Sequence, residues 1–425
     1  DGPQIASTMM KVPISMSKCI FLHEFVIMSG LENDIFLCSL LVSGYGKCGC
    51  LHLAQAVFDK MQSRNVVTWT ALIASYAENG LLKEVLMVFK NMQMDGVIPN
   101  EITFLALVNA CEELGGKKEG FFIHQLIVDH GLDTNAALST ALIKMYAQCG
   151  IVSKAWELFY KMNGRDVVAW TAVITAHVKQ GFYKEALQLF EQMKEANVKP
   201  NAFTFSIVLG AIEELSEGKS IHRNIIGSKL KGQNVVATAL VNMYGRFGDL
   251  KEAQNAFNEM SKPDSMAWTT LISVYAENGE HEVALQIFQQ MQAKRVKPNA
   301  ATFSVIISIY ADLELVKEGL GIHAGMITEG FKLDIFVENT LLNMYRKFGD
   351  LDDAYYIFNK MRKRDVVSWT TLMAGYVEVG KSGNVFHAFE QMLGEGVKPN
   401  LITFVVVLNA CSRQGLLNKS ETYFQ

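Results

Sequence analysis

The stretch VVAWTAVITAHVKQGFYKEALQLFEQMKEANVKPN at residues 167–201 decides the fold. Its first half places apolar side chains at helical spacing and halts at Gly181; the pattern then resumes until Pro200. Helix, glycine-marked turn, helix and proline-marked exit make an αα-hairpin. No alternating apolar and polar run competes with it, so the chain is expected to contain essentially no strand.

The stretch recurs. Trp69, Trp170, Trp268 and Trp369, each followed by threonine, stand 101, 98 and 101 residues apart. Laying the period against itself yields pieces at 35–65, 66–100, 101–135, 136–166, 167–201, 202–233, 234–264, 265–299, 300–334, 335–365 and 366–400, with partial pieces at 1–34 and 401–425. Their lengths cycle through 31, 35 and 35 residues, and the single interval of 98 comes from the piece 202–233. AIEELSEGKSIH at 211–222 is three residues shorter than ACEELGGKKEGFFIH at 110–124, and the loss is expected between the two helices. A lone hairpin buries one face, whereas stacked hairpins share a continuous core. The expected fold is all-α: a superhelical solenoid of stacked αα-hairpins forming one elongated domain over 1–425. Because the chain starts and stops inside repeats, it reads as a fragment, with any targeting peptide or catalytic tail outside it.

Half of the residues are hydrophobic and 19% are charged, which suits a folded protein and excludes a disordered one. No apolar run approaches the ~18 residues of a membrane-spanning helix, so no membrane partner is expected. The seven cysteines invite a metal or redox reading that the repeat alignment removes. Cys48 and Cys149 take the place of Phe247 and Phe348, and Cys111 and Cys411 that of Ile212 and Tyr310. A position that accepts Cys, Phe or Ile is a packing position, and Cys48 with Cys50 lacks the two spaced ligand pairs of a zinc site. The thiols are therefore expected in the core, in a reducing compartment, with no metal and no cofactor. His23, His124, His222 and His323 fall one per triplet. At ~10 Å per helix layer they lie too far apart to share an ion, so each is assigned a structural role at a repeat boundary. Phe58 and Met61, Phe159 and Met162, Phe190 and Met193, and Phe288 and Met291 stand at i, i+3 on second helices and are assigned to the core.

The 31, 35, 35 triplet, the KPN endings at 199–201, 297–299 and 398–400, EALQLFEQM (185–193), VALQIFQQM (283–291) and MYAQCG (145–150) together resemble the pentatricopeptide repeat family. More narrowly, they resemble its plant-organelle class, in which P, L and S repeats alternate. S repeats then begin at 35, 136, 234 and 335, P repeats at 66, 167, 265 and 366, and L repeats at 101, 202, 300 and 401, with 1–34 a partial L repeat. ACSRQGLLNKSETYF (410–424) resembles the last L repeat before a C-terminal extension. The resemblance implies binding of single-stranded RNA in a mitochondrion or chloroplast, about one base per repeat. It also implies that the fifth and last residues of a repeat read the base. Those pairs are Ser39 with Asn65, Thr70 with Asn100, Thr140 with Asp166, Thr171 with Asn201, Thr238 with Asp264, Thr269 with Asn299, Asn339 with Asp365, and Thr370 with Asn400. Helix capping by itself accounts for Asn or Asp at the last position. It does not account for the restriction of the fifth to Thr, Ser and Asn, since a helix interior has no such general preference.

Donor and acceptor sense supplies the discrimination. Ionised Asp only accepts and suits guanine or uracil; Asn donates to the bare ring nitrogen of adenine or cytosine. A short Thr or Ser leaves room for a purine, and Asn reaches toward a pyrimidine. With the family's parallel polarity, residues 35–400 imply A, A, unread, G, A, unread, G, A, unread, U, A from 5′ to 3′. The L repeats carry Leu105, Ser206, Ser304 and Val405 at the fifth position, and Leu105 and Val405 cannot hydrogen-bond a base. Ser304 with Asp334 weakly favours guanine. Val67, Val168, Val235 and Val367 are second residues; the family uses this position to sandwich bases, and a core role fits their composition equally.

The formal net charge is −4 and the pI about 6.2, whereas nucleic-acid domains commonly exceed a pI of ~9. A long solenoid reconciles the two by gathering Lys and Arg on one face, and modest non-specific binding with a shallow salt dependence is expected. No DNA partner is expected. A protein-binding scaffold of the tetratricopeptide kind is the main alternative, but it would use uniform units near 34 residues. An intrinsic deaminase is excluded within 1–425 because H-x-E and P-C-x-x-C are missing. The class implies C-to-U editing, with a cytidine deaminase in cis or in trans and other editing factors as partners. Stabilisation, splicing or translation of the RNA remains the functional alternative.

Overall fold

The computed structural model describes residues 15–162, 164–228, 230–328 and 330–414. Among the described residues there are 24 α-helices and no strand. The repeat boundaries inferred above coincide with helix starts: first helices begin at Ile35, Val66, Glu101, Ala136, Val167, Ala202, Asn234, Ser265, Ala300, Ile335, Val366 and Leu401. Most of the run 410–424 and the start of the partial repeat 1–34 lie outside the described residues.

Packing divides the chain into two compact units, Asp1–Glu213 and Glu214–Gln425. In the first, Ile35–Lys47, Val66–Glu78, Glu101–Leu114, Ala136–Gln148, Val167–Lys179 and Ala202–Gly210 pack in sequence, each on the next. In the second, Asn234–Arg246, Ser265–Glu277, Ala300–Asp312, Ile335–Lys347, Val366–Glu378 and Leu401–Gln414 do the same. Most second helices lie against the first helix of their own hairpin and form the other layer. First helices are consequently apolar over most of their surface, because neighbours flank them on both sides. Second helices such as Tyr183–Glu195 bury only Ala186, Leu189, Phe190 and Met193 and leave charged residues outward.

The difference between 31- and 35-residue repeats lies largely in the second helix. Val152–Lys161 of an S repeat has 10 residues where Tyr183–Glu195 of a P repeat has 13. Gly181 sits at the turn with φ of 79°, a conformation that costs any residue with a Cβ. The shortened repeat departs from expectation. Its first helix, Ala202–Gly210, has 9 residues against 14 in Glu101–Leu114, while residues 211–214 still separate it from Leu215–Ile226. The loss therefore comes out of the first helix, and Ala211 and Ile212 just beyond its end are still buried.

Trp69, Trp170, Trp268 and Trp369 are buried and take Phe58, Phe159, Phe257 and Phe358 edge-on, with ring centroids 4.7, 4.7, 4.8 and 4.7 Å apart. The methionines assigned to the core are buried, except Met162, which is half-buried. Cys19, Cys38, Cys111, Cys149 and Cys411 are buried, as expected, whereas Cys48 and Cys50 are only half-buried; burial pushes Cys111 up to about 12. Each recurring histidine meets a tyrosine of the following S repeat. Nδ1 of His23, His124, His222 and His323 lies 2.9, 2.8, 2.7 and 2.8 Å from the hydroxyls of Tyr45, Tyr146, Tyr244 and Tyr345. The boundary role is thus a polar clasp between a buried tyrosine and a histidine that is half-buried in all but His222. Burial lowers all four imidazole pKa values.

Candidate nucleic-acid interface

The last residue of each repeat stands at the N-cap of the next first helix, where four backbone N–H groups lack intrahelical acceptors. Asn65 Oδ1 accepts from the amides of Val67 and Thr68 at 3.0 and 3.1 Å, and Asp166 Oδ1 from Val168 and Ala169 at 3.1 and 2.8 Å. Asn100, Asn201, Asn299 and Asn400 accept from the amides of Thr103, Thr204, Thr302 and Thr403 at 3.0, 2.9, 2.9 and 2.9 Å. Asp264 and Asp365 accept from Ala267 and Ser368, each at 2.9 Å. Capping therefore occupies one side-chain oxygen in all eight. Since an N–H can only be met by an oxygen, the amide orientation is determined, and Nδ2 of each Asn is the atom left over. Each Asp leaves its second oxygen. The cap and the donor-or-acceptor distinction are one arrangement.

Fifth residues lie one helical turn inside. Thr70, Thr171, Thr269 and Thr370 set their hydroxyls 2.7, 2.8, 2.6 and 3.0 Å from those of Thr103, Thr204, Thr302 and Thr403. Those four threonines in turn donate to the Oδ1 of Asn100, Asn201, Asn299 and Asn400 at 3.0, 3.0, 3.0 and 2.9 Å. In every P repeat the two assigned residues are thus joined through a third. Asn339 and Asp365 are joined directly, Nδ2 donating to Oδ1 at 3.2 Å. Burial raises the Asp365 pKa, but the bonds from Ser368, Asn339 and the Val367 amide outweigh it and hold the carboxyl below its usual range. Asn339 Oδ1 is buried without a partner among the described residues.

The other S repeats differ. Ser39 and Thr140 donate back to the carbonyls of Ile35 and Ala136 at 2.6 and 2.8 Å. Among the described residues no hydrogen bond joins Ser39 to Asn65, Thr140 to Asp166 or Thr238 to Asp264. In the L repeats, Asn135 and Asp334 cap in the same way, and the Ser304 hydroxyl is buried without a partner among the described residues.

The second residues resolve against a core role. Val67, Val168, Val235 and Val367 are exposed, as are Phe36, Ile102, Phe203, Met266, Phe336 and Ile402 at the equivalent place; Phe336 reaches 73%. Within the first unit they wall two clefts. One of about 330 Å³ is lined by Phe36, Ser39, Val67, Thr70, Asn100 and Ile102. The other, about 400 Å³, is lined by Lys144, Val168, Thr171, Lys179, Asn201 and Phe203 among others. Each brings the assigned polar atoms to a floor between apolar walls. Cations also stand in the last turn of S-repeat first helices: Lys47, Arg246, Arg346 and Lys347. Arg346 pairs with Glu378 and Lys347 with Asp312.

The bridging threonines were absent from the sequence reading. Their signal was visible, since Asn-x-x-Thr-Phe recurs at 100–104, 201–205, 299–303 and 400–404. Asn and Thr three residues apart can cap a helix reciprocally. Nothing in that local spacing shows that Thr103 also meets a residue 33 positions earlier.

Matches to the PPR repeat family cover residues 64–113, 165–212, 263–312 and 364–413, and matches to the PPR repeat cover 36–66, 138–167, 235–262 and 339–366. A mitochondrial pentatricopeptide repeat-containing protein of Arabidopsis thaliana is 35% identical over 389 residues, covering 90% of this chain and 56% of the relative. A chloroplastic one from the same plant is 31% identical, covering 95% of this chain and 46% of the relative. The chain thus spans about half the length of these relatives. Among solved structures, the pentatricopeptide repeat protein PPR10 from maize superposes with a TM-score of 0.74 at 20% identity, covering 94% of this chain and 59% of that one. PPR10 in complex with an 18-nt psaJ RNA element gives 0.68 over 92% of this chain and 60% of that one, also at 20% identity.

Proposed function

Because the chain belongs to the pentatricopeptide repeat family, we propose that it binds single-stranded RNA, reading about one base with each S and P repeat through the fifth and last residues. The observation that carries this reading is the cap geometry. One oxygen of each last residue is tied to the helix end, so Asn65, Asn100, Asn201, Asn299 and Asn400 offer an amide donor, and Asp166, Asp264 and Asp365 offer a carboxylate acceptor. The donors suit adenine, and the acceptors suit the ring N–H of guanine or, beside Asn339, of uracil. Exposed Phe36, Val67, Val168, Phe203, Phe336 and Val367 supply apolar surfaces on which base faces pack. The crystallised complex of the structurally similar PPR10 with RNA supports the class of ligand.

The repeats follow the alternating P, L, S pattern, and the assignment extends to site recognition in organellar RNA processing, C-to-U editing foremost. Mitochondrial and chloroplastic designations among the relatives support an organellar location. In this role the chain directs a cytidine deaminase, in cis or in trans, to a cytidine just 3′ of the bound segment. The experiment is equilibrium binding to an RNA carrying A, A, N, G, A, N, G, A, N, U, A beside one of the same composition in scrambled order, across a salt series. Preference for the ordered RNA with a shallow salt dependence is expected. Equal affinities, or no binding at low salt, would return the chain to the protein-scaffold alternative.

A further inference from the structure

Asparagine and aspartate at the last position do not keep the same company three residues on. All five Asn that end an S or P repeat are followed by threonine, Thr68, Thr103, Thr204, Thr302 and Thr403, whereas Asn135, which ends an L repeat assigned no base, is followed by Leu138. Asp166 and Asp264 are followed by Ala169 and Ala267, and Asp365 by Ser368. The physical reason lies in the symmetry of the two groups. A carboxylate offers an acceptor at either end, so one backbone amide caps it whichever way it turns. A carboxamide has a donor at one end and an acceptor at the other, and only hydrogen bonds decide which end faces the helix.

We propose that Thr103, Thr204, Thr302 and Thr403 are positioning residues for base reading, each holding its asparagine with oxygen inward and Nδ2 toward the groove; this rests on the RNA-reading assignment above. Around Thr302 the geometry is complete. Its amide and its hydroxyl reach Asn299 Oδ1 at 2.9 and 3.0 Å, and the Asn299 amide donates back to the hydroxyl at 3.1 Å. The flipped carboxamide would set a donor against the Thr302 amide and forfeit both bonds to Oδ1. The same hydroxyl lies 2.6 Å from that of Thr269, whose one other partner among the described residues is the Ser265 carbonyl at 2.7 Å. Thr269 thus directs its single proton inward on either route and keeps a lone pair uncommitted. Asn299 and Thr269 then present a donor beside an acceptor, the complement of adenine's N1 and N6 amino group. Thr68 differs from the other four in donating to the Asn65 carbonyl, at 2.8 Å.

The test uses the 425-residue chain with Thr302→Val, which removes the hydroxyl and keeps the shape. Ala169 and Ala267 occupy the equivalent place, so a residue without a hydroxyl is compatible with the hairpin. Binding is measured to RNAs with A or G opposite repeat 265–299, and with U or C opposite repeat 335–365. The A-over-G ratio is expected to fall about tenfold, the scale of one lost hydrogen bond to a buried group, with the U-over-C ratio unmoved. Thr302→Ser restores the A-over-G ratio. An unchanged A-over-G ratio in Thr302→Val, or an equal fall of both ratios, overturns the proposal, as does loss of the ratio in Thr302→Ser. Asn299→Asp in parallel separates the two levels: if it fails to shift preference toward G, the base-reading assignment itself fails.

Discussion

Exchanging Asp365 for Asn is the sharpest perturbation available, because it changes one atom at a pair whose surroundings are fully specified. Asp365 Oδ1 accepts from the Ser368 amide and hydroxyl, both at 2.9 Å, and from Asn339 Nδ2 at 3.2 Å. Those bonds persist if the amide oxygen of the variant takes the place of Oδ1, so the replaced atom is the open one: an acceptor becomes a donor. Uracil then meets a donor with its N3–H, and cytosine meets it with a lone pair. A base-edge contact is worth about 1–3 kcal/mol by analogy with duplex readout. Taking ~1.4 kcal/mol for each base, the ratio of Kd for C to Kd for U should move from about 10 to about 0.1. The helix itself should barely respond. Asn and Asp cap equally well, and losing a carboxylate at a helix N-terminus costs only about 0.3–1 kcal/mol. Fluorescence anisotropy with paired RNAs, beside a thermal melt, reads both quantities. An equal loss of affinity for U and C, or an unmoved ratio with an intact melt, would refute the reasoning. Because hydrogen bonds hold the Asp365 carboxyl below its usual range, the parent's U preference should stay flat from about pH 8 to about pH 5, since it requires the ionised form.

Phe336→Ala removes an exposed side chain, so stability should stay within about 0.5 kcal/mol while RNA affinity falls roughly 5- to 100-fold, the range of one base stacked on an aromatic ring; unchanged affinity would take the second residues out of the interface. Tyr146→Phe strands the half-buried His124 Nδ1 and should cost about 1–3 kcal/mol in a urea titration. With burial lowering the pKa of His23, His124, His222 and His323, the unfolded chain binds protons more readily than the fold. Stability is therefore complete above the ordinary histidine pKa of ~6.5 and declines below it, by up to about 1.4 kcal/mol per pH unit for each residue. A urea midpoint that holds steady through that range would contradict the clasp. Gly46→Ala would put a Cβ 2.1 Å from Ser75 Oγ and 3.0 Å from the Ser75 backbone, so a loss of about 1–3 kcal/mol is expected in the melt.

Hairpin boundaries, the all-α architecture and the burial of five of the seven cysteines were legible in the residues because each rests on local chemistry repeated many times. Asn or Asp at the cap, glycine at the turn and proline at the exit act within a few residues, and thirteen partly redundant copies expose them by comparison alone. The eight pairs proposed to read bases could be numbered from the period, with the resemblance supplying their meaning. Three things required the tertiary structure. Helical periodicity cannot distinguish a valine that faces a neighbouring helix from one at the first turn that faces a groove, so Val67 and Val367 appeared equally suited to the core until packing left them exposed. The shortened repeat gave up part of its first helix, whereas the alignment placed the loss between the two helices. The bridge from Thr269 through Thr302 to Asn299 joins positions 33 residues apart, and only the stacking of Ser265–Glu277 on Ala300–Asp312 brings those hydroxyls together. Local signals specify where a helix starts; which atom of its cap remains open, and what holds it, depends on the helix stacked beside it.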